Sequence, residues 1–331
     1  MTDSAPDLTP MADLIQPFQV ERYGLRGRLV RLGALADDIL GRHDYPEPVA
    51  IMLAQMMAVA ASLAGALKYD GVFTLQAQGN GPIRLMVADV TSKGDMRAYA
   101  QFDAKAVADL AATGKAGDSV PQWLGVGHLA FTVDQGPDTE RYQGIVDLFG
   151  MTLAECVHHY FRQSEQIEAA LKIAVLHEPQ AGKGAGWRVG ALMMQRLPKL
   201  GGIDEDGAQR SANLTPDSFD EAEREESWRE AIVLMGSATG AELTSRELGA
   251  DRLLYRLFHE PGVRVFTPMA LRSACRCSQD RVSAMLMSFP KAEIETMKVD
   301  GAVEVKCEFC GRDYRYDQGA LDRLFAASAA D

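Results

Sequence analysis

The chain has 331 residues, of which 47% are hydrophobic and 24% are charged, a composition typical of globular proteins. This length allows two or three domains, and the composition excludes a collagen-like, rod-like or wholly disordered chain. The formal net charge is −12, which counts against a nucleic-acid-binding protein because phosphate recognition needs a basic face.

The N-terminal residues predict a cytoplasmic protein. They lack the basic region of a signal peptide, since the first Lys or Arg is Arg22. The longest apolar run, 51–67, is interrupted by Gln55 and Ser62, so we interpret it as a buried helix rather than a membrane span. We therefore expect no membrane partner.

Alternating apolar and polar residues predict a sheet after this helix. The segment VFTLQAQ, turn residues at 79–82 and IRLMVADV together predict a hairpin. Thr152 and Glu155 predict the start of a helix that runs to Phe161. Further strands are predicted in four segments, MRAYAQF, HLAFTVD, YQGIVDL and ALKIAV. Strands and helices without a regular βαβ alternation favour the α+β class.

The charge is distributed unevenly and suggests where the domains divide. Residues 201–260 carry 6 Arg and 14 Asp or Glu, a balance of 6 − 14 = −8. We predict a sheet-and-helix organisation followed by a helical linker and a small metal-binding domain. The predicted parts are a flexible tail at 1–16, an N-terminal α+β domain at 17–198, an acidic, partly helical, metastable linker at 199–266 and a four-cysteine domain at 267–331.

The acidic linker contains one strong helical pattern. The segment TSRELGADRLLYRLF starts with a predicted capping pair, Thr244 and Glu247, and its apolar residues recur at helical spacing. These apolar residues are Leu253, Leu254, Leu257 and Phe258. Because the surrounding stretches GGIDEDG and EAEREES are too polar to bury much surface, we expect this region to be folded but weakly held.

The last part has about 60 residues, a size at which a single core is marginal without a crosslink or a metal. One helical face, a strand around Val303 and Val305 and a short terminal helix are predicted here. The apolar residues of that helical face are Val282, Met285, Leu286 and Phe289.

Four of the five cysteines form the pairs CRC (Cys275, Cys277) and CEFC (Cys307, Cys310). Two close pairs of thiolates predict a tetrahedral structural zinc site. The basic neighbours Arg272, Arg276, Lys306 and Arg312 either balance the charge of the site or are ordinary surface residues. The zinc is either purely structural or part of a redox switch, since thiolates are the form that oxidants attack.

Other patterns support no second site. The run 182–184 lacks the frame of a phosphate-binding loop, and no motif organises a catalytic triad, so no enzymatic activity is expected. His158 and His159 are adjacent on a helix and do not share a face with Cys156, which is interpreted as a buried small hydrophobe. Two rival functions remain: a zinc-ribbon nucleic-acid module, and a thiol–disulfide oxidoreductase that uses CEFC.

Motifs spread over most of the chain resemble one known family. The matches run from about Arg22 to Phe325 and include HDYP, LQAQGNGP, ERYQGIV, FRQSEQ, LLYRLFHE, CRC and CEFCG. In these stretches the chain is similar to the redox-regulated heat-shock chaperones called 33-kilodalton chaperonins. The acidic stretch 203–230 does not align with that family.

This resemblance implies an ATP-independent holdase whose reduced form, with one bound Zn²⁺, is inactive. It implies that Cys275, Cys277, Cys307 and Cys310 bind the zinc and, on oxidation, form disulfides between neighbours, Cys275–Cys277 and Cys307–Cys310. Zinc release and unfolding of the C-terminal domain and linker would then expose surface that binds unfolding proteins. The resemblance also implies a homodimer when oxidised and transfer of clients to ATP-dependent foldases.

Overall fold

The computed structural model describes residues 11–114, 117, 119–136, 139, 141–165, 168–178, 186–196 and 221–327. Most of the predicted tail, the linker residues before Glu221 and the predicted turn at 182–184 lie outside these ranges. The chain divides into two compact units, Met1–Ser273 and Ala274–Asp331.

The strands of the described residues are, in chain order, β1 (Leu14–Val20), β2 (Leu25–Leu32), β3 (Val72–Gly79), β4 (Ile83–Thr91), β5 (Asp95–Phe102), β6 (Gly127–Asp134), β7 (Tyr142–Asp147), β8 (Ala169–His177), β9 (Trp187–Arg196), β10 (Val263–Val265), β11 (Met269–Ala270), β12 (Arg272–Ser273), β13 (Ala302–Lys306) and β14 (Asp313–Asp317). The predicted hairpin is β3–β4, and each of the other predicted strands is present.

The helices are α1 (Ala34–Leu40), α2 (Glu47–Ala64), α3 (Ala104–Ala111), α4 (Val120–Trp123), α5 (Leu153–Tyr160), α6 (Glu221–Gly236), α7 (Gly240–Leu243), α8 (Ala250–Phe258), α9 (Gln279–Met287), α10 (Lys291–Thr296) and α11 (Gln318–Ala327). A π-helical turn, Phe161–Glu165, follows α5. Thr152 caps α5 as predicted, because its side chain accepts a hydrogen bond from the Glu155 backbone.

The first unit contains two sheets of the described strands. The first sheet has the order β10-β1-β2-β9-β8, with β11 also paired to β1, and all its pairs are antiparallel. The second sheet has the order β12-β5-β4-β3-β6-β7, in which only β12 and β5 run parallel. The mixture of antiparallel sheets and helices confirms the predicted α+β class.

Helix α2 packs against strands of both sheets and forms the centre of the main core. Prolines before and inside its first turn fix a backbone angle that suits a helix start. By length and composition α2 could cross a membrane, but 83% of it is buried inside the protein. The prediction of a buried core helix is confirmed.

The opposite face of the first sheet carries a second core, formed with α6, α7 and α8. Successive side chains of β2 point to opposite faces of the sheet, so Val30 lies in the α2 core and Leu29 lies in this second core. The buried stripe of α8 packs here as its spacing predicted. We call this second core the linker core; its buried members are Phe18, Val20, Leu25, Leu29, Leu192, Met194, Ala231, Met235, Ala238, Leu243, Leu253, Leu254, Leu257 and Phe258.

The structure differs from the predicted boundaries at both ends of the first unit. Leu14–Gln16, assigned to the flexible tail, belong to β1, because Ile15 is fully buried against the α2 core. The described part of the linker belongs to the first compact unit, which ends at Ser273 rather than at 266. Residues 269–273 stay with this unit because β11 pairs with β1 and β12 pairs with β5.

The predicted capping box at Thr244 and Glu247 is wrong. The box is formed five residues earlier by Thr239 and Glu242, and Thr244 lies at the C-terminal end of the short helix that they begin. Helix α8 instead begins after Gly249, without a side-chain cap.

The second unit has a small core of its own. The hairpin β13–β14 packs with α9, α10 and α11. The buried members of this small core are Val282, Leu286, Ile294, Val303, Tyr314, Tyr316 and Leu321. Met285, predicted on the buried face of α9, is 43% exposed.

Candidate metal centre

All four paired cysteines converge on one site in the second unit. Cys275 and Cys277 lie in the segment before α9, and Cys307 and Cys310 lie in the turn between β13 and β14. Their Sγ atoms are all within 4.8 Å of one another, and each residue is half-buried. The distances are 3.7 Å between the Sγ atoms of Cys275 and Cys307 and 3.4 Å between those of Cys277 and Cys310.

The CEFCG segment forms a tight knuckle around the Cys307 sulfur. The backbone N–H groups of Cys310 and Phe309 donate to this sulfur. The Gly311 N–H donates to the Cys307 carbonyl oxygen at 2.8 Å, and the Cys307 N–H donates to the Arg312 carbonyl oxygen at 2.9 Å. Gly311 has a φ of +69°, which glycine adopts without the steric cost that a Cβ brings.

Hydrogen bonds among the sulfurs give the cysteine thiols different pKa values. Burial alone would raise the pKa of Cys275, but donors from the Cys277 backbone and from the neighbouring thiols outweigh burial and bring this pKa to about 7. Burial, together with the hydrogen bonds that its thiol makes to Cys277 and Cys275, raises the pKa of Cys310 to about 12. Burial also raises the pKa of Cys307. These sulfurs must therefore release protons to act as thiolate ligands.

The donor set fits a tetrahedral metal ion. With metal–sulfur bonds of about 2.3 Å, the sulfurs of a tetrahedral zinc site are about 3.8 Å apart. The two measured Sγ–Sγ distances, 3.7 Å and 3.4 Å, are close to that spacing. Four thiolates favour zinc or iron over harder cations such as Mg²⁺ and Ca²⁺. The site could therefore hold one metal ion.

The basic residues beside the cysteines do not act as one group. The pKa of Arg312 is raised by Tyr314 and then by Cys277 and Cys310, so this guanidinium does offset charge at the sulfurs. Arg272 instead forms an ion pair with Asp95 in the first unit.

Tyr314 is a further residue of this site, which the cysteine motifs did not indicate. This side chain is 5% exposed, and its interaction with Cys277 raises its pKa. The alternation of Tyr314 and Tyr316 along β14 marks one buried face of the strand and could have indicated its position.

The other candidate ligands lie apart from this centre. Cys156 is fully buried in the α2 core, where burial raises its pKa to about 11, as expected for a small hydrophobe. The Nδ1 atom of His158 lies 2.7 Å from the Ala169 carbonyl oxygen. Within the part of the chain that the structure describes, no other group of His, Cys, Asp and Glu has the spacing of a metal site.

Comparisons with known proteins agree with these features. The model of the Hsp33 protein family matches residues 13–317. The chain is 38% identical over 318 residues to the 33 kDa chaperonin of Caulobacter vibrioides, covering 96% of this chain and 99% of that protein. It is 33% identical over 324 residues to the 33 kDa chaperonin of Pseudomonas putida, covering 97% of this chain and 96% of that protein.

A solved structure shares the fold. The crystal structure of the 33 kDa chaperonin, an Hsp33 homologue, from Thermotoga maritima superposes with a TM-score of 0.72 at 23% identity. The match covers 97% of this chain and all of that one. From the family model and the two relatives, the chain belongs to the Hsp33 family of chaperones.

Proposed function

We propose that this chaperone is a redox-regulated, ATP-independent holdase of the cytoplasm, with no catalytic activity. The observation that supports it is the convergence of four cysteine sulfurs in a unit whose own core is small. We assign the metal ligands and the redox-active residues to the same four side chains, Cys275, Cys277, Cys307 and Cys310, and the metal to one Zn²⁺ in the reduced state.

The site crosslinks the second unit. Zn²⁺, when bound, would hold the four sulfurs as thiolates and join segments that are 32 residues apart at Cys275 and Cys307. Structural zinc contributes about 10–16 kcal/mol of apparent binding energy, which becomes folding energy where the site forms only on folding. The seven buried side chains of this unit's core cluster contribute much less than a full domain core. The fold of 274–331 therefore depends on the four sulfurs.

Oxidation removes this crosslink only if neighbouring sulfurs pair. Each disulfide forms from two thiols, which lose two protons and two electrons to an oxidant such as hydrogen peroxide, itself reduced to two waters. Disulfides Cys275–Cys277 and Cys307–Cys310 close short loops and leave the two segments unconnected. The crosswise pairs, Cys275–Cys307 and Cys277–Cys310, would keep the segments joined and preserve the fold.

Unfolding of the second unit destabilises the linker next to it in the chain. The backbone runs from α8 through β10, β11 and β12 directly to Cys275. When α6–α8 leave the first sheet, the strand side of the linker core becomes exposed. Its apolar side chains are Phe18, Val20, Leu25, Leu29, Leu192 and Met194. An apolar surface of this kind binds unfolding proteins, and the net charge of −12 keeps the complexes soluble.

The partners follow from this cycle. Unfolding client proteins bind the oxidised form, which we expect to be a homodimer. Clients pass to ATP-dependent foldases when reducing conditions return. Nucleic acid is not a partner, since the chain is acidic overall.

Light scattering of a thermally unfolding client protein tests this function. The chaperone is added either reduced and zinc-loaded or after peroxide treatment at mildly raised temperature, and released zinc is measured in the same samples. Suppression of aggregation only by the oxidised, zinc-depleted sample is the expected result. Equal behaviour of both samples with zinc retained would mean that the metal is purely structural.

Tryptic peptide mapping separates the two disulfide pairings. Cleavage after Arg272, Arg276, Arg281, Lys306 and Arg312 puts Cys275 and Cys277 on different peptides and keeps Cys307 and Cys310 on one. Neighbouring pairing gives 273–276 linked to 277–281 and a separate 307–312 lighter by two hydrogens. Crosswise pairing links all three peptides, which would contradict the proposed release of the segments.

A further inference from the structure

A cavity in the first unit lies where the C-terminal end of α2 meets strands of both sheets. Its volume is about 210 Å³. Most of its wall is apolar, and Phe131 and Tyr160 stack there with ring centroids 3.9 Å apart. Other apolar lining residues are Leu63, Leu67, Phe73 and Val133.

One side of this cavity carries a positive charge that no carboxylate of the described residues offsets. The half-buried Arg28 donates from Nε to the Gly65 carbonyl oxygen and from Nη1 to the Gln195 Oε1 atom, both at 3.0 Å. Both acceptors are uncharged, and no Asp or Glu of the described residues pairs with Arg28. Burial, and then the nearby Arg26, lower the pKa of Arg28 to about 10, so the guanidinium remains protonated at neutral pH.

Arg26 adds a second cation to the same wall. It lies two residues from Arg28 on β2, so both side chains point to one face of the strand. Within the described ranges Arg26 forms no ion pair, although Asp and Glu outnumber Lys and Arg by 46 to 34. Arg196 also lines the cavity, but its charge is met by Glu168 at 2.8 Å and Glu225 at 3.2 Å.

We propose that this cavity binds a small carboxylate that carries a short apolar chain. The carboxylate would pair with Arg26 and Arg28. Within the described residues, three guanidinium N–H groups of Arg28 and all those of Arg26 have no other acceptor and are available to a ligand. The chain would occupy the aromatic and aliphatic wall. A cavity of about 210 Å³ has room for far more than one water and can admit a short alkyl chain, for which an eight-carbon acid serves as the probe. This site is separate from the cysteines and does not depend on the proposed redox cycle.

Binding of octanoate to the full, reduced chain tests the proposal. Isothermal titration calorimetry gives the affinity, and methyl NMR of leucine-labelled protein reports on Leu63 and Leu67, which line the cavity. The neutral analogue octan-1-ol separates charge recognition from partition into an apolar space. We expect octanoate to bind at least tenfold more tightly than octan-1-ol and to shift both leucine methyl signals. Equal affinity of the two compounds, or no shift at either leucine, would overturn the proposal.

Substitutions of residues that line the cavity test whether octanoate binds there. Arg26→Gln changes an exposed side chain and should weaken octanoate binding several-fold, whereas Ala66→Leu should fill the cavity and abolish binding. The matched control is Arg84→Gln, which removes the same charge from an exposed arginine that donates to the Asn80 carbonyl oxygen away from the cavity. Binding that is unchanged in both Arg26→Gln and Ala66→Leu, or weakened equally by Arg84→Gln, would place the ligand elsewhere and reject the proposal.

Discussion

The two compact units are held together in different ways. In Met1–Ser273, α2 is buried between two sheets, and side chains from almost every strand contribute to its core. In Ala274–Asp331, seven buried side chains and four clustered sulfurs replace such a core. A hydrophobic core has no single contact whose loss undoes it, whereas we propose that the second unit depends on one site. Sensitivity to oxidants can therefore be confined to the second unit while α2 and its sheets stay folded.

The first sheet repeats this contrast on its two faces. One face packs on the single long helix α2, and the other on three helices of 16, 4 and 9 residues from the acidic linker. Helix α6 carries glutamates along much of its length and buries only Ala231 and Met235 fully. The linker face is therefore the one that can open without loss of the α2 core.

Replacement of a ligand should have the largest effect. Cys307→Ser removes one of four sulfurs, so zinc binding should be lost and residues 274–331 should unfold at 25 °C, since most of the roughly 10–16 kcal/mol contributed by the metal disappears. Zinc content and the amide NMR signals of 279–327 measure this. The control Cys156→Ala should keep the zinc. A Cys307→Ser protein with full zinc content and dispersed signals would refute the ligand assignment.

A buried charge in the linker core should open the linker face. Leu253→Asp places a carboxylate at a fully buried position of α8 and should destabilise the packing of α6–α8 by about 4 kcal/mol or more. The oxidant concentration and temperature needed for holdase activity should both fall. Tyr255→Asp on the same helix is the control, because Tyr255 is 66% exposed. An unchanged activation threshold in Leu253→Asp would count against linker opening.

Removal of one buried arginine should also destabilise the packing of α6–α8, but by less than the buried charge does. Arg31, on β2, is 4% exposed and donates to the carbonyl oxygens of Leu248 and, at 3.0 Å, Glu242. Arg31→Met leaves both carbonyls without this donor and should cost about 1–3 kcal/mol of linker stability. Proteolysis within 221–258 measures it. The control, Arg264→Met, breaks a largely exposed pair with Glu21 and should change cleavage little. Equal cleavage of both variants would exclude this role for Arg31.

The smallest effect is expected at the knuckle glycine. Gly311→Ala forces alanine into a φ of +69° and should destabilise the second unit by about 1 kcal/mol. Gly319→Ala in α11 is the matched control, because an added Cβ there makes only ordinary contacts and alanine favours a helix. In thermal unfolding of the zinc-bound chain, the melting temperature of the second unit should be lower for Gly311→Ala than for Gly319→Ala. The reverse order would contradict the knuckle geometry.

Local patterns predicted the elements and the cysteines that cluster in the second unit. The alternation in VFTLQAQ identified β3, and the close spacing within CRC and CEFC identified four side chains that meet within 4.8 Å. These features depend on residues near one another in sequence.

Features that depend on competing or distant residues were not predictable. Thr239–Glu242 and Thr244–Glu247 have the same spacing, but the former pair forms the box and begins the short helix whose Leu243 is buried in the linker core. The cavity is formed by residues as far apart as Arg26, Ala66, Phe131 and Gln195, so no local motif marks it. The buried start of β1 was assigned to the tail because only one of its two partner strands, β2, is near in sequence, whereas the other, β11, is about 250 residues away in the chain.

Hydrogen exchange of the full chain, read by mass spectrometry, tests the central claim most directly. The reduced, zinc-loaded protein is compared with the peroxide-treated protein in the same samples whose suppression of client aggregation is measured. We expect oxidation to make 274–327 and 221–258 exchange rapidly while α2 and the strands packed on it stay protected, and we expect holdase activity to appear together with this change. Holdase activity without loss of protection in these two regions, or loss of protection throughout α2, would contradict this claim.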